Sequence, residues 1–182
     1  MRDEQRDAET PKPPTPRPNW RIGLGHDTHR LGSGGPLILG GVRIDCDRHA
    51  IGHSDADVLL HAVIDALLGA LGQGDIGDRY PDTDPANLGR DSRTMLREVA
   101  ADVQAAGWLL VNLDCNIFAE QPKLGPRKQE IRRSLASLLE IDESQVSVKA
   151  KTGEGVDAVG HGMAISTSCV VLLSQHDSIQ TF

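Results

Sequence analysis

Asp27-Thr-His29 sets a carboxylate and an imidazole two residues apart, at the end of a stretch beginning at Trp20 that reads as a short strand. Side chains two apart on a strand share a face and stand about 6 to 7 Å apart along the chain, so both can reach one ion. Zinc needs a third protein ligand. His61 is the candidate, a polar residue inside the otherwise apolar run Val58-Leu-Leu-His-Ala-Val-Ile-Asp-Ala-Leu-Leu-Gly-Ala-Leu71, where an unpartnered imidazole would be costly. An Asp/His/His set with one open position belongs to catalytic rather than structural zinc. Residue types alone leave a second reading open, in which the D-x-H pair is coincidence and His61 finds Asp57 or Asp65 instead of a metal.

Three further segments could meet an anion. His53-Ser54, at the start of the apolar run, offers an imidazole, a hydroxyl and free backbone N–H groups; the alternative is a plain helix cap. Lys151-Thr-Gly-Glu-Gly155 resembles a phosphate-cradling loop without the spacing of a P-loop. Gly23-Leu-Gly25 fails as a dinucleotide fingerprint because position 28 is Thr.

These residues need elements to hold them. Val58–Leu71 is long enough to be a helix and apolar enough to be buried on most sides, with Ser54 or Asp55 as its cap. The stretch from Trp20 and the Pro36–Ile44 stretch read as a hairpin, turned at Gly32-Ser-Gly-Gly35. From Gly72 to Gly89, Gly, Asp and Pro predict a long loop without regular structure. A second helix runs from Asp91-Ser to Ala106, with Met95, Val99 and Val103 on one stripe, and a third from Arg127 to Leu139. Val111, Leu113, Cys115 and Ile117 alternate with polar residues as a half-buried strand, and Val146–Ala150 and Ala164–Leu173 complete the set. The order implies an α/β (α+β) fold, a mixed four- to five-stranded sheet with helices packed on one face.

Composition bounds the rest. The chain of 182 residues is 38% hydrophobic, 25% charged and 3% aromatic, which suits one globular domain and leaves little for stacking on bases. A net charge of −7 offers no general attraction to nucleic acid or acidic membranes. Cys46, Cys115 and Cys169 include no C-x-x-C pair and read as reduced thiols of a cytoplasmic protein. There is no apolar run long enough to span a membrane, and the acidic, apolar-poor N-terminus does not read as a targeting signal. Residues 1–19 hold half of the ten prolines and read as a disordered tail, 20–174 as a single folded domain, and 175–182 as a polar tail.

Gly25-His-Asp-Thr-His29, Leu39-Gly-Gly-Val42, His53-Ser-Asp-Ala-Asp-Val58 with His61, Asp65-Ala-Leu-Leu-Gly69, Gly74-Asp-Ile-Gly77, Pro81-Asp-Thr-Asp84, Gln121-Pro-Lys123 and Val148-Lys-Ala-Lys-Thr152 with Glu154 stand in a familiar order and spacing. From about Arg21 to Leu173 the chain resembles the 2-C-methyl-D-erythritol 2,4-cyclodiphosphate synthases of the non-mevalonate isoprenoid pathway. The resemblance implies zinc on Asp27, His29 and His61 and a second divalent ion, Mg²⁺ or Mn²⁺, on Glu154. It implies transition-state stabilisation by His53 and Thr152, with Thr28, Ser54 and Lys151 also near the substrate. The sugar hydroxyls fall to Asp75, Ile76 and Gly77 and to the segment Tyr80, Pro81, Asp82, Thr83, Asp84; the cytidine pocket falls to Ala119, Pro122, Lys123 and Ala150.

By the same resemblance the substrate is a cytidine diphosphate derivative, and the assembly is a homotrimer with sheets facing its axis and active sites between subunits, with neither nucleic acid nor membrane as partner. The chain departs from many relatives at Lys151 and Gly153, where they have Thr, and at Asp157-Ala158, where they have Gly-Phe. It has His161 and Met163 where several relatives ring the trimer cavity with Arg and Glu, and these two cannot give the bidentate phosphate grip of Arg. Two rival readings of the residues are a zinc-dependent phosphodiesterase or phosphatase and a non-catalytic cytidine-nucleotide-binding trimer.

Overall fold

The computed structural model describes residues 19–175; the readings of 1–18 and 176–182 as tails fall outside the described residues. Seven strands and five helices follow in the order β1 (Trp20–Ser33), β2 (Leu37–Leu39), β3 (Val42–Ile44), β4 (Arg48–Ile51), α1 (Val58–Leu71), α2 (Ile76–Arg79), α3 (Ser92–Ala105), β5 (Trp108–Phe118), α4 (Lys128–Leu139), β6 (Val146–Lys151), α5 (Asp157–Gly160) and β7 (Ala164–Gln175). Five strands form one mixed sheet, β4-β1-β7-β5-β6, in which only β5 and β6 run parallel. The helices pack on one face of it, as expected.

The expected first hairpin does not form. β1 pairs with β7 along its length and with β4 at its end, from Arg30 opposite Ile51 to Ser33 opposite Arg48. The Pro36–Ile44 stretch instead folds on itself as the separate ribbon β2–β3, because Gly40 and Gly41 both take positive φ, 62° and 74°, the requirement of a tight two-residue hairpin turn. In β5 the register shifts between Leu110 and Asn112. Val111 is the extra residue of a bulge, so it is half-buried while Leu113, Cys115 and Ile117 are fully buried.

α1 is the centre of the core. Eleven of its fourteen residues are buried, as an apolar cylinder must be. It lies against β1 so closely that a Cβ on Gly23 would come 1.7 Å from the Ala66 carbonyl oxygen, and one on Gly25 1.9 Å from that of Ala62. Glycine in the strand opposite alanine in the helix therefore sets how near β1 can bring Asp27 and His29 to His61.

The cap of α1 is Asp57, not Ser54 or Asp55. Fully buried, it accepts the N–H groups of Leu59 and Leu60, and of Gly40 and Gly41 at 2.8 and 2.6 Å. One carboxylate thus starts the helix and ties the β2–β3 turn to it.

The other face of the sheet is uncovered in the single chain. Trp20, Ile22 and Leu24 are 56%, 72% and 68% exposed. Ile22 stands opposite Leu172 and Leu24 opposite Val170. The apolar patch thus spans two strands.

Candidate metal centre

Strand alternation turns Gly23, Gly25, Asp27 and His29 to the helix side of β1, while one turn of α1 carries His61 to meet them. Three electron-pair donors converge. Asp27 Oδ2 lies 2.9 Å from His29 Nε2 and 2.9 Å from His61 Nδ1, and the two nitrogens are 3.2 Å apart. Ligand atoms around tetrahedral zinc, with bonds of about 2.0 to 2.1 Å, stand about 3.3 Å from one another. Only a small outward movement separates this triangle from that geometry.

The protonation pattern also favours a cation. His29 Nδ1 lies 2.9 Å from the Ile51 carbonyl oxygen, which can only accept, so Nδ1 carries the hydrogen and the neutral ring aims a lone pair at Asp27. On the far side of His61, Nε2 lies 2.9 Å from Ser92 Oγ and 3.0 Å from Ser54 Oγ. Burial pushes the Asp27 carboxyl upward, but hydrogen bonds and charge from His29 and His61 outweigh it and hold the group well below its ordinary 3.8. Burial likewise opposes a charge on His29, yet Asp27 raises it above 6.5. In the metal-free protein a proton satisfies the centre. A dication would satisfy all three donors at once.

The triad forms the floor of a pocket of about 480 Å³. His53 and Ser54 stand at its rim, and Ile76, Gly77, Tyr80, Pro81 and Asp82 form one wall. Asn87, Leu88 and Met95 complete it; the sequence offered no reading of the first two and placed Met95 only on the apolar stripe of its helix. Here the expected irregular loop needs correction: it contains α2 and a 3₁₀ turn at Pro85–Asn87. Asp75 caps α2 in a reciprocal box with Asp78, and Asp84 caps the 3₁₀ turn. Those carboxylates are committed to backbone N–H groups; neither they nor Thr83 line the pocket.

Tyr80 pins the wall to α3. Its hydroxyl donates to Glu98 at 2.8 Å, while the guanidinium groups of Arg79 and Arg90 lie 5.5 and 4.8 Å from the ring centre. Arg90 also pairs with Glu98. Burial and Glu98 raise the phenol above its ordinary value of 10.0, so it serves as a neutral hydrogen-bond donor.

Thr28 points to the opposite face of the sheet, where its hydroxyl donates to Ser166 at 2.9 Å. The remaining expected site residues gather elsewhere, at the ends of β5 and β6. There Ala119 N–H donates to the Lys151 carbonyl, Gly153 N–H to Glu120, and the Thr152 hydroxyl to Glu154 at 2.5 Å. Pro122, Lys123 and Ala150 belong to this second cluster, and none of the group lines the pocket. Asp27, Thr167, Ile117 and Ala150 occupy one row of the sheet, so Asp27 and Ala150 are three strand spacings, about 14 Å, apart. Between them Thr167 donates to the Val58 carbonyl at 2.8 Å, which seats the first turn of α1 over the gap.

Residues 20–174 match the YgbB family. The 2-C-methyl-D-erythritol 2,4-cyclodiphosphate synthase of Rhodopirellula baltica is 52% identical over 156 residues, covering 86% of this chain and 94% of its own. That of Gemmatimonas aurantiaca is 47% identical over 154 residues, covering 84% and 93%. Among solved structures, a synthase of the same name in its CDP-bound form has a TM-score of 0.79 at 40% identity, over 85% of this chain and all of that one. The IspF–CDP complex of Plasmodium falciparum scores 0.78 at 33% identity, over 87% and 98%.

Proposed function

The chain belongs to the YgbB family of 2-C-methyl-D-erythritol 2,4-cyclodiphosphate synthases, and from that membership we infer its reaction and the part each residue takes in it. It is a lyase of non-mevalonate isoprenoid biosynthesis that converts 4-diphosphocytidyl-2-C-methyl-D-erythritol 2-phosphate to 2-C-methyl-D-erythritol 2,4-cyclodiphosphate and CMP. An oxygen of the substrate's own 2-phosphate forms a bond to the β-phosphorus. The bond from that phosphorus to the bridging oxygen breaks, and the oxygen leaves with CMP. The nucleophile is already an anion, so no side chain need remove a proton. The protein's task is to fold the substrate back on itself and offset charge.

Asp27, His29 and His61 hold zinc in this reading, and the convergence of their three donor atoms is the observation that carries it. Bound zinc supplies positive charge at phosphate oxygens, which an acidic chain otherwise lacks. Glu154 holds a second divalent ion, Mg²⁺ or Mn²⁺. His53, Ser54 and Thr152 donate to the phosphates. Ile76 and Gly77, with Tyr80, Pro81 and Asp82, enclose the methylerythritol unit and exclude water, the cluster of Ala119, Pro122, Lys123 and Ala150 holds the cytidine, and Lys151 adds a phosphate contact.

The second cluster lies about 14 Å across the sheet from the first, with α1 between. A neighbouring copy would complete the site, and the apolar open sheet face supports a homotrimer packed about that face. Residues 20–174 form the catalytic domain. The chain works in the cytoplasm; among the described residues no helix is long and apolar enough to cross a membrane.

Incubation of the purified protein with its substrate, followed by ³¹P NMR with and without chelator, tests the reading. CMP and the cyclic diphosphate are expected to appear together, to cease with chelation and to return with added Zn²⁺ and Mg²⁺. Turnover indifferent to metal removal would overturn the metal assignment. Linear hydrolysis products would favour a phosphodiesterase, and CDP binding without turnover a non-catalytic protein.

A further inference from the structure

His61 offers two ring nitrogens, and a neutral imidazole gives a metal only the one without hydrogen. What selects that nitrogen lies outside the pocket. The Ser92 hydroxyl stands 2.5 Å from Asp55 Oδ1 and 2.9 Å from His61 Nε2. A carboxylate can only accept, so the hydroxyl hydrogen goes to Asp55, and the serine has only lone pairs left to face the ring. Nε2 must then carry the imidazole hydrogen, which leaves Nδ1 bare and aimed at Asp27 Oδ2, 2.9 Å away.

Ser92 is fully buried, which leaves water no access to stand in for it. Asp55 is itself fixed, because its second oxygen accepts the backbone N–H of Ser92 at 3.1 Å. Ser54 Oγ lies as near to Nε2, at 3.0 Å, but its hydrogen has no carboxylate to claim it. A rotating hydroxyl serves either tautomer, so Ser54 cannot choose between them. Ser92 can.

We propose that Ser92 and Asp55 are positioning residues of the metal centre, a serine-to-carboxylate relay from the first turn of α3 that locks His61 with Nδ1 as its ligand atom. The proposal rests on reading Asp27, His29 and His61 as metal ligands. Outer partners of this kind typically govern metal affinity by about 10- to 100-fold.

Zinc affinity, measured by competition with a chromophoric chelator, and the visible spectrum of the Co²⁺-loaded protein test it. Ser92→Ala is expected to weaken zinc by about 10- to 100-fold and to alter the Co²⁺ bands, and Asp55→Asn to do the same to a smaller degree. Ser54→Ala should leave both within about threefold of the parent, whatever it does to turnover. Should Ser92→Ala fail to fold, Asp55→Asn against Ser54→Ala decides. Parent-like affinity and spectrum in the Ser92 or Asp55 variant that folds, or an equal loss in the Ser54 variant, would overturn the relay while leaving the metal centre intact. A parent protein that takes up neither metal would overturn both.

Discussion

Asp27 and His29 stabilise the metal-free fold where the charged forms of both coexist, and each sets one limit of that pH window. His29 is raised above 6.5, so its contribution to stability is complete below that value and is lost as the pH rises through the raised pKa. Asp27 is depressed, so its contribution is present above 3.8 and is lost as the pH falls through the lowered pKa. Metal-free protein should therefore draw most from the pair between about pH 4 and 6. Zinc on the proposed ligands would reverse the alkaline side, because protons compete for the same lone pairs and metal affinity grows as they leave. The melting temperature of chelator-treated protein is expected to fall as the pH rises above 6.5 through the raised His29 pKa, while the margin added by zinc widens; a margin independent of pH would count against these ligands. The triad was legible because strand alternation and one polar residue in an apolar helix are local patterns. Ser92 was not. Its partners His61 and Asp55 lie 31 and 37 residues away, and a serine after Asp91 reads as part of a helix start.

At the scale of elements, α1 could be read to its last residue because burial on all sides leaves a continuous apolar run. β4 could not, since Arg48–Ile51 has no pattern of its own and owes its form to the end of β1. α2 was hidden for a related reason: four residues with a reciprocal cap and a tether through Tyr80 resemble a loop in composition. The glycines of β1 were weighed for nucleotide binding, yet their use is in packing. Gly25→Ala would force a methyl group to within 1.9 Å of the Ala62 carbonyl, and the helix would have to leave the strand. Thermal or denaturant unfolding should show a loss of about 3 kcal/mol or more, at the upper end for overpacked cores, with zinc binding weakened in parallel because Asp27 and His61 separate. Unchanged stability would mean that α1 sits farther from β1 than described.

At the scale of the whole molecule, Trp20, Ile22 and Leu24 leave an apolar patch that a monomer would expose to water. The pattern of β1 marks it as a strand without saying which side would meet the proposed neighbouring chains; only the family resemblance expects the open sheet face to do so. That depends on where α1 packs. Leu24→Glu is expected to reduce the mass in light scattering from that of the proposed trimer to that of a monomer and to abolish turnover, while chelator competition still finds zinc binding by each chain. A variant that keeps the parent mass would place the interface elsewhere. The gap between Asp27 and Ala150 then acquires a further meaning. If neither half of the site can act alone, catalytic power belongs to the encounter of chains rather than to any one of them. Specific activity would then follow mass action: dilution below the assembly threshold would extinguish it with every chain still folded and metal-loaded.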